Sequence, residues 1–194
     1  MLTDNETKNL LTETGALMEG HFILSSGLRS DKYVQCAKLL MYPQKSEIIC
    51  KSLADKVKNA KINFDIVVSP AIGGILAGYE VSRHLDVPSF FTERVNGEFS
   101  LRRGFELKEY KNVLIVEDVI TTGKSSLECA ATIEKLGGLV TGYACIIDRS
   151  GENSLIEGEI ISQIKLNIPS FSADNLPEKL KNTKAIKPGS REVV

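Results

Sequence analysis

The sequence lacks any run of about 20 apolar residues, and its 194 residues carry a formal net charge of only −1. The first absence argues against a membrane-spanning helix. The second argues against a general surface for nucleic acid or membranes, because such surfaces carry an excess of Lys and Arg. An anionic ligand would therefore have to be bound locally, by loops and helix ends.

Cysteine is also scarce, and its four occurrences show no spacing typical of a metal site. We therefore expect reduced, mostly buried thiols in a cytoplasmic protein. The first ten residues contain neither a basic start nor an apolar run, so we expect no signal peptide. Apolar residues at 42% and charged residues at 25% are ordinary for a soluble globular protein. The length suits one domain.

The most informative stretch is VLIVEDVITTGKSS, residues 113–126. It begins with apolar residues whose branched side chains predict a short buried strand. Glu117 and Asp118 follow, and a hydroxyl-rich loop around Gly123 leads into an amphipathic helical pattern. Free amides at a helix start bind phosphate, together with Ser and Thr hydroxyls. The two carboxylates suit ribose hydroxyls or a hydrated divalent cation, so the stretch predicts a site for a ribose 5-phosphate derivative.

Two other interpretations of this stretch remain open. Gly123-Lys124-Ser125 matches the end of a nucleotide-triphosphate P-loop, but that motif needs a glycine where Asp118 stands. A side chain and a negative charge would then occupy the place where the backbone must wrap phosphates. The second interpretation is coincidence, because many α/β proteins have strands followed by loops with Asp or Thr.

Two further strand patterns accompany this stretch. Residues 64–69 predict a strand with apolar side chains on both faces, followed by a loop of small residues at 70–74. Residues 139–148 predict another strand, which Arg149 follows directly. Two strand–helix–strand units with short connections require right-handed crossovers and a parallel sheet, so we expect an α/β fold. By themselves, the loop is compatible with a tight turn and Arg149 with an ion pair to Asp148.

Residues 93–107 alternate in a way that predicts a β-hairpin around Asn96-Gly97, the strongest short turn signal in the chain. It follows a predicted strand over residues 87–92. One interpretation is a solvated basic hairpin, and the other is a mobile flap whose arginines neutralise an anionic ligand, which the resemblance described below implies to be pyrophosphate. The arginines concerned are Arg94, Arg102 and Arg103.

Local signals predict the remaining elements. Thr3 or Asp4 caps a helix that runs to about Thr14, and Ser46 caps a second helix. Residues 20–33 mix aromatic, small, hydroxyl and basic residues without a helical period, which by itself indicates a surface β-ribbon. A last strand is expected over residues 159–167.

Residues 113–126 resemble the signature of phosphoribosyltransferases that use 5-phosphoribosyl 1-pyrophosphate (PRPP). Three other segments are similar to segments of the orotate phosphoribosyltransferases, in the shorter branch of that family. They are residues 20–33, the Asp-Arg pair at 148–149 and the run KPGSR at 187–191. The resemblance covers residues 20–191, nearly the whole chain.

The resemblance implies the type I phosphoribosyltransferase fold, a Rossmann-like parallel sheet flanked by helices, with a small hood and a β-hairpin flap. Residues 1–194 would form a single domain. The hood would comprise about residues 1–45 and the C-terminal tail, and the core about residues 46–167. The resemblance also implies a homodimer whose flap is shared across subunits.

The implied reaction joins orotate to PRPP and gives orotidine 5-monophosphate and pyrophosphate, in pyrimidine biosynthesis, with Mg²⁺ held mainly by PRPP and water. The flap arginines Arg102 and Arg103 would be catalytic. The orotate-binding residues would be Thr121, Arg149, Ser26 and Gly27, with the arginine on the carboxylate. The PRPP-binding residues would be Arg94, Ala71, Ile72, Gly73, Gly74, Glu117, Asp118, Val119, Ile120, Thr121, Thr122, Gly123, Lys124 and Ser125.

The chain departs from the longer orotate enzymes at three places. They carry a lysine where this chain has Gly73, a lysine-rich flap where it has arginines, and a hood lysine that aligns with Ser25. The catalytic cation is therefore unassigned. A purine salvage phosphoribosyltransferase shares the signature, although it needs no carboxylate clamp at Arg149. A regulatory PRPP-binding protein of the same fold is the other alternative.

Overall fold

The computed structural model describes residues 1–24 and 26–188. The first helix, α1 (Asp4–Glu13), begins with a capping box: Glu6 N–H donates to Thr3 Oγ1 at 3.3 Å, and Thr3 N–H donates to Glu6 Oε2 at 2.8 Å. The chain leaves the helix through Gly15, whose φ of +67° favours glycine. The predicted first helix is confirmed.

A two-stranded antiparallel sheet follows, formed by β1 (Leu17–Ile23) and β2 (Arg29–Val34). It confirms the predicted ribbon. The C-terminal tail extends it: Ile186 N–H donates to His21 O and accepts, through its carbonyl, from Ile23 N–H, both at 2.8 Å. On the other edge, Arg29 and Phe171 exchange backbone hydrogen bonds of 2.7 and 2.8 Å. The first and last segments of the chain therefore form one unit.

The main sheet has six strands in the order β5-β4-β3-β6-β7-β8. All neighbouring pairs are parallel except β4 with β5, which form an antiparallel hairpin. The predicted α/β fold with a parallel sheet is confirmed. The strands are β3 (Ile66–Pro70), β4 (Ser89–Val95), β5 (Glu98–Leu101), β6 (Asn112–Ile120), β7 (Leu139–Asp148) and β8 (Ile160–Lys165).

Helices cover both faces of this sheet. Because side chains alternate along a strand, Val67 of β3 packs on one face with Leu53, while Ile66 and Val68 pack on the other with Ile133. No helix of the described residues is long and apolar enough to cross a membrane. The remaining helices are α2 (Ala37–Leu40), α3 (Pro43–Ala60), α4 (Gly73–Leu85), α5 (Lys124–Lys135) and α6 (Glu178–Lys181).

The prediction that Ser46 caps the second long helix is wrong. Helix α3 begins at Pro43, with Tyr42 at the cap position, and Ser46 is buried within the first turn. Proline favours this start because its fixed φ suits the first helical position and its missing N–H would have had no partner there. The strand predicted over residues 87–92 begins later and runs on to Val95, because pairing with β5 extends it.

Candidate active site

The candidate site lies at the carboxyl edge of the parallel strands β3, β6 and β7, where open α/β sheets bind ligands. Three chain segments leave the strands there: residues 71–74, residues 121–125 and Arg149. Backbone bonds fix two of them, since Ala71 N–H donates to Thr92 O at 2.7 Å and Arg149 N–H donates to Ile120 O at 2.8 Å. Segments distant in sequence therefore meet at one edge.

Residues 121–125 wrap a small pocket of about 70 Å³, whose lining also includes Glu117, Val119 and Ile120. Gly123 caps α5 with a φ of +79°, and a Cβ there would lie 2.7 Å from Ile156 Cγ1, so this position requires glycine. The first amides of α5 have no intrahelical partner, and with the hydroxyls of the loop they provide donors for an anion.

Glu117 and Asp118 form the acidic side of the site. Burial, reinforced by the neighbouring Asp118, raises the pKa of Glu117 to about 7, although a hydrogen bond from Ser126 Oγ opposes the rise. Burial also raises the pKa of Asp118. A Cβ on Gly73 would lie 2.8 Å from Asp118 Oδ1, so the first residue of α4 contacts this carboxylate. Any side chain at position 73 would displace Asp118.

The burial of Glu117 leads to a prediction about stability. Its pKa in the folded protein lies above its ordinary value of 4.5, so the folded state favours the protonated form. Its contribution to stability is therefore present below pH 4.5 and is lost as pH rises to about 7. We expect Glu117→Gln to be more stable than wild type at pH 8, by up to about 3 kcal/mol, and similar to it at pH 5.

Denaturant unfolding at both pH values measures this difference. Asp118 remains in both proteins, and its own raised pKa adds a decline in stability with rising pH to each. That decline is smaller in Glu117→Gln, because the neighbouring negative charge is gone, so it changes the difference at pH 8 in the same direction. A stability difference of equal size at pH 5 and pH 8 would contradict the assignment of this titration to Glu117.

Arg149 lines a second pocket, of about 420 Å³. Its Nε is buried and has no hydrogen-bond partner among the described residues, and burial lowers the pKa of the guanidinium. Asp148 instead accepts hydrogen bonds from Ser150 and lies 3.9 Å from Lys165, so the ion pair with Arg149 is not formed. The full lining is Ile23, Leu24, Ser26, Tyr33, Val34, Thr121, Arg149, Lys187 and Pro188.

This second pocket brings together three of the four residues expected to bind orotate. Ser26 and Thr121 line it with Arg149, whereas Gly27 lies in the β1–β2 turn outside the lining. Thr121 lines both pockets, so the two are adjacent. Ser25 and the tail residues 189–191 lie outside the described residues.

The predicted hairpin is confirmed, with Val95 opposite Glu98 across the Asn96-Gly97 turn, and its role as a flap stays a prediction. Its arginines, however, contact acids outside both pockets. Arg102 Nη1 lies 3.9 Å and Arg103 Nε 3.1 Å from the Glu93 carboxylate.

Arg94, at the other end of the hairpin, pairs with Glu128 of α5 and lies over the Phe99 ring at 4.1 Å. The flap is therefore folded back on its own chain, with each of its three cations beside a carboxylate.

Three polar or charged residues of the site were not among the predicted site residues. Ser126 reaches the buried Glu117, and Tyr33 and Lys187 line the second pocket. Ser126 could have been found from the helix pattern, because it lies on the inward face of the first turn. Lys187 had no comparable signal, since its place depends on the pairing of the tail with β1.

Comparisons with known proteins agree with this geometry. The family model described as "Phosphoribosyl transferase domain" matches residues 40–175. The chain is 47% identical over 182 residues to the orotate phosphoribosyltransferase of Parvibaculum lavamentivorans, covering 93% of this chain and 94% of that protein. This chain belongs to the orotate phosphoribosyltransferase family.

Other members of the orotate phosphoribosyltransferase family show the same similarity. The Maricaulis maris protein is 45% identical over 192 residues, covering 98% of each chain. The crystal structure of the Aeropyrum pernix orotate phosphoribosyltransferase superposes with a TM-score of 0.70 at 22% identity, over 81% of this chain and 92% of that one. The structural match supports the type I phosphoribosyltransferase fold.

Proposed function

We propose that this protein transfers the phosphoribosyl group of PRPP to orotate, giving orotidine 5-monophosphate and pyrophosphate in pyrimidine biosynthesis. The observation that carries the proposal is the buried Nε of Arg149, which has no partner among the described residues and lies in a pocket beside the proposed phosphate loop. A buried guanidinium without a partner is unfavourable unless a ligand pairs with it. Its planar fork matches a carboxylate such as that of orotate.

PRPP would lie across the smaller pocket. Its 5-phosphate would accept hydrogen bonds from residues 121–125 and from the first amides of α5. The ribose hydroxyls would donate to Glu117 and Asp118, and the pyrophosphate would extend over residues 71–74. The contact between Gly73 and Asp118 supports this arrangement, because it brings the last segment beside the ribose-binding carboxylates.

The reaction needs charge stabilisation more than proton transfer. As pyrophosphate leaves the anomeric carbon, positive charge grows on the ribose and negative charge on the departing oxygen. The carboxylates of Glu117 and Asp118 would stabilise the positive charge on the ribose. The flap arginines Arg102 and Arg103 would stabilise the negative charge on the departing oxygen. To contact pyrophosphate, these arginines must leave their ion pairs with Glu93. Orotate is already an anion, so little acid–base work remains.

The residues of the site fit a magnesium ion that is carried by the substrate. The described residues contain no group of three or more His, Cys, Asp or Glu side chains that could hold a metal by themselves. Glu117 and Asp118 would contact the waters of an ion bound to PRPP oxygens. When bound, Mg²⁺ would offset the negative charge of the leaving pyrophosphate.

The test is to mix the protein with PRPP, Mg²⁺ and orotate and to follow the loss of orotate absorbance. Consumption of orotate that requires PRPP supports the transfer. Turnover of adenine or hypoxanthine that orotate does not inhibit would instead indicate a salvage enzyme. Binding of PRPP without turnover of any base would indicate a regulatory protein.

We also propose a homodimer formed through an apolar stripe that runs from Ile72, the residue before α4, along that helix. Ile72, Leu76 and Tyr79 are 87%, 54% and 63% exposed, and their spacing places them on one side of the helix. A second copy of the chain fits this stripe, because a two-fold contact sets an apolar patch against itself. Ile72 belongs to the proposed pyrophosphate loop, so the dimer would form beside the site.

Sedimentation analysis tests the dimer. We expect wild type to have the mass of two chains, and Leu76→Glu/Tyr79→Glu to have the mass of one, because buried carboxylates would be unpaired. Leu139→Glu is the matched control, since Leu139 is 59% exposed at the amino end of β7, the opposite end of the strand from the site. A double variant that keeps the wild-type mass would rule out this interface.

The single domain of residues 1–194, with a hood of about residues 1–45 plus the tail and a core of about 46–167, is likewise proposed. The pairing of the tail with β1 supports this division. A cytoplasmic location is supported by the four cysteines, which are all free and buried.

A further inference from the structure

The pocket that contains Arg149 is positively charged. Two of its lining residues carry a charge, Arg149 and Lys187, and both are cations. The remaining described lining residues are apolar or carry hydroxyl groups, and none is a carboxylate. This differs from the flap, where each arginine is paired with an acid. Within residues 1–24 and 26–188, neither cation forms an ion pair with an acid, so both can bind an anionic ligand.

The backbone of the C-terminal tail holds Lys187 at this pocket. The preceding residue, Ile186, pairs with β1 through the two hydrogen bonds to His21 and Ile23. Farther back, His21 Nδ1 lies 3.1 Å from both the carbonyl and the hydroxyl oxygen of Thr183. Lys187 thus follows a segment that is anchored at two points, and its backbone is positioned before a ligand arrives.

The two cations differ in a way that suits two roles. Arg149 is half-buried at the end of β7 and offers a rigid, planar fork. Lys187 is exposed and carries a flexible ammonium group. A buried fork fixes the orientation of a carboxylate, whereas a flexible exposed cation at the entrance draws in and retains an anionic base.

We propose that Lys187 is a substrate-specificity residue, which binds the anionic base together with Arg149 from the C-terminal tail. The proposal rests on the proposed transfer to orotate and adds a second recognition cation to it. It also assigns a role to the tail, whose residues Lys187 and Pro188 contribute to the lining of the base pocket.

The test compares Lys187→Ala, Lys187→Arg and wild type in steady-state kinetics with orotate and PRPP. We expect Lys187→Ala to raise KM for orotate about fivefold to tenfold, with kcat and KM for PRPP changed less than about twofold. Lys187→Arg keeps the positive charge, so its KM for orotate should lie close to that of wild type. Because an exposed pair is screened by salt, the KM of wild type should rise with ionic strength more steeply than that of Lys187→Ala.

Lys184→Ala is the matched control, since Lys184 is an exposed lysine of the same tail that does not line the pocket. It should leave every parameter unchanged. If wild type consumes orotate and Lys187→Ala keeps the wild-type KM, the inference is overturned and the proposed function stands. If wild type neither binds nor consumes orotate, both the proposed function and this inference are wrong. If KM for orotate rises equally in Lys187→Arg and Lys187→Ala, the charge of Lys187 plays no role and the inference is overturned as well.

Discussion

Arg149→Ala is expected to lower kcat/KM for orotate by roughly 10² to 10³, because it leaves the substrate carboxylate unpaired in the pocket. Folding should not suffer. The buried Nε of Arg149 has no partner among the described residues, and burial already lowers the pKa of the group. Removing it therefore relieves a desolvation cost, and we expect an unchanged or higher melting temperature. Kinetics and thermal unfolding of the same preparation measure both effects.

Two further variants make this experiment specific. Arg149→Lys keeps the charge and loses the planar fork, so its kcat/KM should lie between those of wild type and Arg149→Ala. Lys165→Ala removes the neighbouring exposed cation that lies near Asp148, and should change kcat/KM less than about threefold. If Arg149→Ala retains kcat/KM within threefold of wild type, Arg149 does not bind the base carboxylate.

Arg102→Ala/Arg103→Ala is expected to lower kcat by about 10² while melting within about 2 °C of wild type. The arginines would stabilise the negative charge that develops on pyrophosphate. Removing one preorganised donor from such a charge typically lowers kcat by about 10². Their contacts with Glu93 are exposed ion pairs, which contribute little to folding. Single-turnover kinetics separates the chemical step from product release.

Lys51→Ala is a suitable control, because Lys51 also pairs with an acid on an exposed surface, Asp55, but lies on α3, outside the flap and the proposed dimer stripe. It should keep the wild-type kcat. An unchanged kcat in both single flap variants and in the double variant would remove the flap from the mechanism.

Mixing inactive variants tests whether the flap is shared between subunits. Arg102→Ala/Arg103→Ala subunits mixed with Arg149→Ala subunits should recover part of the wild-type activity if the flap acts on the neighbouring site. One site of each mixed dimer would then combine an intact flap with an intact Arg149. Mixtures that remain as inactive as their components would indicate that each flap serves its own subunit.

Sequence reasoning succeeded where local chemistry decides structure. Residues 139–148 were predicted as a strand and form β7 over the same range, because Gly137-Gly138 ends the preceding helix and apolar residues fill the strand. The Asn96-Gly97 hairpin was predictable for the same reason, since φ is positive at both turn residues. The start of α3 was missed because Ser46 is a good cap by type, whereas Pro43 decides the first turn.

The sequence alone determined the parallel α/β architecture and the order of its elements, because these follow from periodicity and from turn and helix-start chemistry. Phosphate binding by residues 121–125 stays a prediction from the same helix-start chemistry. Only the tertiary structure decided which distant residues meet. It placed Gly73 against Asp118, left the Arg149 Nε without a partner among the described residues, set Lys187 in the same pocket and turned the hairpin arginines onto Glu93 and Glu128. Such contacts depend on strand order and on the pairing of the tail with β1, and no local pattern encodes these distances.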